Sequence, residues 1–323
     1  MSLYLYCLRE PTRCGRDKAG TAPEISGTCP APSGITSQGV NGKEGVIIRT
    51  FDGIEAVVSE VNFDDFGEMQ KKAQEDIHWI REKALAHEMV VEEAMGKTNY
   101  INFREVGRGI PAEPSEKSAH QEGSPCHREM EKSSCPNPIP VIPVKFGVIF
   151  NNDERLVKVI SERSATIKSA FDRIRAKQEW GVKIFLKDNQ KFKDQVREQS
   201  ELLREKSNTL AALPAGMAYF MEEEFNGELE RECSRMLDEE AMKTFEELKP
   251  FAAEATLVKI LDSKLTGRSE RMILNSAYLV ANSHRPEFEN AVAKMREKLA
   301  ESGFLVEQSG PWPPYHFTEF AND

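Results

Sequence analysis

The sequence predicts an α+β protein of two domains: an N-terminal α+β domain over residues 1–177, and a C-terminal domain over 178–323 of ferredoxin-like order with an extended aromatic and proline-rich tail. Three observations predict it. A chain of 323 residues is longer than a single hydrophobic core usually serves. Alternating strand-like runs and helix-like stripes succeed one another along both halves. From Trp180 onward the elements run strand, helices, strand, strand, helix, strand, which is a split β-α-β unit with an enlarged first helical crossover.

Each element follows from local chemistry. Ser2 to Leu8 reads as a strand, followed by residues 9–44, which are rich in Gly, Pro, Ser and Thr and are expected to form a largely mobile loop. Asp52-Gly53 between two apolar runs is a hairpin turn, placing Phe51 opposite Ile54, Thr50 opposite Glu55 and Ile48 opposite Val57. Ala73, Ile77, Ile80, Ala84, His87, Val91 and Ala94 form one stripe on a helix expected over Glu68 to Met95. His87 lies within that stripe, as a hydrogen-bonded core histidine or as a ligand or base. Residues 104–138 form a second irregular insertion. Ile139 to Phe150 then reads as one strand covered on both faces, and Asn151 with Glu154 as the reciprocal cap of the next helix. Leu156, Ile160, Ile167, Phe171 and Ile174 mark the buried side of that helix.

Trp180 to Leu186 is the first strand of the second half. The charged stretch from Asn189 to Phe251 is expected to be two helices broken near Leu213-Pro214-Ala215-Gly216, with its Glu and Lys runs facing water. Glu254 to Leu261 and Met272 to Ala281 are strands joined through Thr266-Gly267-Arg268. Pro286 opens the last helix, Phe288, Val292, Met295 and Leu299 line its buried side, and Gly303 ends it. Phe304 to Gln308 is the final strand. Beyond it, Pro311, Pro313 and Pro314 exclude a helix or a central strand and stiffen a tail carrying Trp312, Tyr315 and Phe317. Such a tail suits docking on a surface, the protein's own or a partner's.

Composition excludes several functions. A formal charge of −10 opposes nucleic acid and anionic membrane surfaces. The longest apolar run, around Val141 to Phe150, is interrupted by Lys145 and is too short to cross a bilayer. The N-terminal apolar run ends at Arg9 and Glu10 with no basic region before it, so no secretory signal is expected and the cytoplasm is the default compartment. The six cysteines (Cys7, Cys14, Cys29, Cys126, Cys135 and Cys233) make no C-x-x-C pair. His87-Glu88 begins like H-E-x-x-H, but position 91 is Val. No G-x-S-x-G or Walker A loop is present. Asp64-Asp65 and Glu222-Glu223-Glu224 are adjacent carboxylates that ordinarily point to water. No catalytic residue, metal or cofactor is therefore expected.

Four ordered segments carry a resemblance. Leu3-Tyr4-Leu5-Tyr6, Pro140 to Phe150, Glu179-Trp180-Gly181-Val182-Lys183 and the tail Ser309 to Phe317 resemble the gas vesicle GvpF/GvpL family, across nearly the whole chain. That resemblance implies an α+β domain followed by a modified ferredoxin-like domain, and a non-enzymatic accessory protein of the gas vesicle, either an assembly factor or a minor wall component. It also implies the major shell protein and other gas vesicle accessory proteins as partners. The insertion at 104–138 departs from the family's plan. A metal-dependent hydrolase or a small-molecule-sensing module on a ferredoxin-like fold is the alternative. Pro311, Trp312, Pro313, Pro314, Tyr315 and Phe317 are the candidate docking residues.

Overall fold

The computed structural model describes residues 2–11, 35–40, 42, 45–62, 76–96, 138–261 and 268–318. Most of the two irregular stretches lies outside the described residues, as do Ala73, Asp64-Asp65, Cys14, Cys29, Cys126, Cys135 and Thr266-Gly267. The chain divides into two compact units, Met1–Lys168 and Ser169–Asp323.

Unit 1 is built on an antiparallel sheet in the order β2-β3-β1-β4, with β5 also paired to β1. Its strands are β1 (Ser2–Arg9), β2 (Val46–Phe51), β3 (Ile54–Val61), β4 (Val141–Pro143) and β5 (Ile149–Phe150). All eight residues of β1 are buried, since strands flank it on both sides. The hairpin register is the expected one, and Asp52 and Gly53 take the positive φ values of 47° and 72° that its turn requires. Helix α1 (Ile77–Ala94) starts where the Asp76 carboxylate accepts from the His78 and Trp79 amides. It packs on β1 and β4, burying His87, Val90, Val91 and Ala94.

Four details of unit 1, including the helix that runs across its boundary, differ from expectation. Ile139 to Phe150 is not one strand: Lys145 to Gly147 leaves the ladder, with Lys145 exposed and Gly147 at φ 93°, while the Val144 N–H and the Val148 carbonyl stay bonded to Tyr6 and Leu5 of β1. Two side chains hold this excursion: His87 bonds the Val144 carbonyl, and the Tyr4 hydroxyl accepts from the Gly147 N–H. The cap of α2 (Asp153–Glu162) is Asn152, whose side chain accepts from the Arg155 amide, one residue later than expected. The following helix breaks at Arg163 into α2 and α3 (Ser164–Ile174), although Leu156, Ile160, Ile167, Phe171 and Ile174 are all buried as the stripe predicts. Finally, residues 35–40 are not loose. The Glu93 carboxylate accepts from the Thr36 and Ser37 amides at 2.6 and 2.9 Å, and Val40 is fully buried with its N–H bonded to the Tyr6 hydroxyl.

Unit 2 has an antiparallel sheet in the order β7-β8-β6-β9, from β6 (Lys177–Leu186), β7 (Glu254–Leu257), β8 (Arg271–Ala281) and β9 (Phe304–Trp312). This is the ferredoxin-like strand order. The crossover between β6 and β7 is enlarged to α4 (Asn189–Gln199), α5 (Glu201–Ala211) and α6 (Ala215–Leu248), three helices where two are expected. The extra break is at Ser200, which leaves helical geometry (ψ 113°) and caps α5 with its hydroxyl. Some charges of this region also tie helices together: Lys193 pairs with Glu230, and Lys206 with Glu228 at 2.6 Å.

Helix α7 (Arg285–Glu301) buries Phe288, Val292, Met295 and Leu299 against β8, β9 and α6. An aromatic row, Phe245, Tyr278 and Phe288, forms the centre of the core, with ring centroids 5.8 and 5.3 Å apart. The β7 strand is shorter than expected, ending at Leu257, and β9 is longer, running past Gln308 to Trp312. Two features let β9 continue. It is an edge strand, and its register against β6 shifts between Gly181↔Ser309 and Glu179↔Trp312, so that the donor-less Pro311 falls in a bulge.

Candidate functional site

The tail is held on unit 2 by the Glu179-Trp180-Gly181 stretch of β6. Glu179 is a buried carboxylate, 3% exposed, and the tail satisfies both of its oxygens. The His316 backbone N–H donates to Oε2 at 3.0 Å, and the His316 ring Nδ1 lies 2.6 Å from Oε1. A buried carboxylate without such partners would be strongly destabilising. The hydrogen bond to Glu179 holds the His316 imidazole above its ordinary pKa, half-burial opposes this, and the carboxylate's charge adds to it.

Two glycines allow the close approach. A Cβ on Gly181 would sit 2.9 Å from the Ser309 hydroxyl, and one on Gly310 would sit 2.9 Å from the Glu179 carbonyl oxygen. Gly310 also has φ 121°, a conformation L side chains rarely adopt. The Ser309 hydroxyl accepts from Trp312 Nε1 at 3.0 Å. Past Trp312 the chain folds on itself: the Tyr315 N–H donates to the Pro313 carbonyl, and the Phe317 N–H and Thr318 hydroxyl donate to the Pro314 carbonyl. Of the residues singled out from sequence, Pro313, Pro314 and Phe317 are buried, while Pro311, Trp312 and Tyr315 are half-buried. The segment therefore lies against unit 2 in this structure.

A second buried polar cluster lies in unit 1. His87 Nε2 is 3.0 Å from the Val144 carbonyl, which can only accept, so this nitrogen carries the proton. Nδ1 then accepts from the Tyr4 hydroxyl at 2.9 Å, and the Tyr4 oxygen accepts from the Gly147 N–H at 3.0 Å. Burial pushes the imidazole down to about 4, against the Val144 hydrogen bond, so the ring is neutral near pH 7. The Phe146 ring meets Tyr4 and His87 edge-on. Both ring nitrogens of His87 are used in fixing the Val144–Gly147 turn. Among the described residues, no three His, Cys, Asp or Glu side chains gather as metal ligands, and no helix is long and apolar enough to cross a membrane.

Glu179 and Gly181 stand in the sequence motif Glu179 to Lys183 without a sign that they hold the tail, and His316 is not among the candidate docking residues. A signal existed in both places. Glycine inside a strand marks a close backbone approach, and a histidine between Tyr315 and Phe317 is a polar handle in an otherwise apolar tail.

Comparison with known proteins agrees with this architecture. The family described as gas vesicle synthesis protein GvpL/GvpF matches residues 2–103 and 126–319. Gas vesicle protein L of Streptomyces sp. (strain CB03234) is 22% identical over 289 residues, covering 89% of this chain and 88% of that protein. The crystal structure of GvpF from Anabaena sp. PCC7120 superposes with a TM-score of 0.64 at 20% identity, covering 99% of both chains. That of GvpF from Microcystis aeruginosa gives 0.57 at 18% identity, covering 98% of this chain and 99% of the other. Because the family match takes in both units and the strands, turn and tail described above, the chain belongs to the gas vesicle GvpL/GvpF family.

Proposed function

We propose that this protein is an accessory factor of the gas vesicle, an assembly factor or a minor component of its wall, and that it acts by binding the hydrophobic shell protein rather than by turning over a substrate. The observation that carries this reading is the family match across residues 2–103 and 126–319, which takes in both units and leaves little chain for an unrelated activity. A physical rationale supports it. A gas-enclosing wall needs subunits with one face that repels water, and such faces associate wrongly before assembly. A soluble carrier with a formal charge of −10 covers that face and stays dispersed.

The outer edge of β7 suits this contact. Among the described residues it is a terminal strand of its sheet, and Leu257 within it and Phe251 and Ile260 beside it are 48, 38 and 51% exposed. A sheet edge flanked by apolar side chains accepts an added strand or an apolar surface. The test is co-purification with the shell protein and light scattering of the mixture. A soluble complex with suppressed aggregation is the expected result, and no association and no suppression would refute the carrier role. Immunogold labelling of isolated vesicles separates a wall component from a factor that departs after assembly.

A further inference from the structure

We propose that Glu179 and His316 form a pH-operated clasp: the charged imidazole closes Pro313–Thr318 onto unit 2, and loss of its proton slackens the segment and exposes Pro313, Pro314 and Phe317. This goes beyond the gas vesicle role and does not depend on it.

The geometry makes His316 the ring that closes the segment. The Glu179 carboxylate is buried and accepts twice from one residue, His316, from its backbone and from its ring. The side chain of Glu179 is 4% exposed, whereas that of His316 is 41% exposed. The proton can therefore exchange with solvent while the carboxylate cannot be rehydrated without moving the tail. The carboxylate makes this hydrogen bond charge-assisted in either state of the ring, and protonation of His316 adds the attraction of opposite charges. Removing the imidazolium proton leaves a neutral ring that still reaches Oε1 but no longer compensates a buried negative charge.

Among the described residues, the neighbouring charged side chains have other partners. On β6, Lys177 donates to the Arg173 carbonyl. On β8 the residue beside Glu179 is Leu279, and beyond it Glu254 of β7 is paired with Arg173. On β9 the neighbour is Trp312, and at the start of α7 Arg285 stacks over Trp180. In the tail itself the adjacent titratable side chain is Tyr315, and Glu319 follows outside the described residues. The hydrogen bond to Glu179, opposed by half-burial, raises the His316 pKa. Its stabilisation is therefore complete below the ordinary histidine value and is lost as pH rises through the raised one.

The test is amide hydrogen exchange at Tyr315, His316 and Phe317 of the full chain, corrected for the intrinsic rise with pH. Between about pH 6 and about pH 9, protection in the wild type should fall by about threefold or more, because the contact changes from a hydrogen-bonded ion pair to a neutral donor on a carboxylate. His316→Gln keeps a donor and every backbone bond but cannot titrate, and its corrected protection should be flat. Glu179→Gln should flatten the profile too and return the ring titration of His316 toward its ordinary value. A flat wild-type profile, or a His316→Gln profile parallel to the wild type, overturns the proposal. If Glu179→Gln fails to fold, His316→Gln decides alone, since it changes a part-exposed side chain.

Discussion

Replacing His87 with glutamine should flatten the acid sensitivity of unit 1. In the folded state burial lowers this imidazole to about 4, from an ordinary value of 6.5. The sign follows directly. As pH falls below 6.5 the unfolded chain takes up a proton at His87 and the folded chain does not, so folding loses free energy until about pH 4. Across that window the loss is about 3 kcal/mol, with a slope approaching 1.4 kcal/mol per pH unit. Glutamine can still donate to the Val144 carbonyl and accept from the Tyr4 hydroxyl, and it does not titrate. The substitution should cost stability near pH 7 and recover most of the difference toward pH 4. The assay is amide exchange of β1, where the Leu5 N–H is bonded to the Val148 carbonyl and exchanges only when this part of the sheet opens. Carboxylate titrations are common to both proteins and cancel in the difference. If the wild type and His87→Gln lose protection in parallel from pH 6.5 to 4, His87 is not buried as a neutral ring and the reasoning fails.

Other perturbations test the remaining contacts. Gly310→Ala should destabilise the tail by about 2 kcal/mol, since it adds strain at a positive φ to a clash with the Glu179 carbonyl; Gly181→Ala should cost less, because the Ser309 hydroxyl it meets can rotate away, and limited proteolysis of the tail compares the two. Phe288→Ala removes a fully buried ring from the aromatic row and should cost about 4 kcal/mol, read as a fall in the unfolding midpoint of unit 2. Leu257→Lys with Ile260→Lys should abolish retention of the shell protein while leaving the unfolding midpoint within about 0.5 kcal/mol of wild type, because both side chains are exposed; unaltered binding would remove the β7 edge as the contact surface.

Elements whose causes are local were legible in the sequence. The Asp52-Gly53 turn sets its own hairpin register, because the strands it joins are adjacent in the chain. The helical stripes in α2, α3 and α7 identified their buried residues, because periodicity reports which face must leave water. Boundaries were less legible. Asn151 and Asn152 are equally good caps, and only the entry angle of the chain selects the second. The break at Ser200 lies inside an unbroken helix-forming pattern, and packing of α4 and α5 on α6 decides it. The excursion at Lys145 to Gly147 was not legible at all, since the side chains that hold it, His87 and Tyr4, lie 57 and 143 residues from the backbone groups they bond.

The sequence by itself determined the fold class, the ferredoxin-like order of the second half, the family and the presence of a stiff aromatic tail. Each of these depends on residue order, periodicity or proline chemistry, which are readable along one dimension. Only the tertiary structure decided where the tail lies and what holds it. A buried carboxylate is stable only where folding brings it a donor, and for Glu179 that donor, His316, is 137 residues away in the chain.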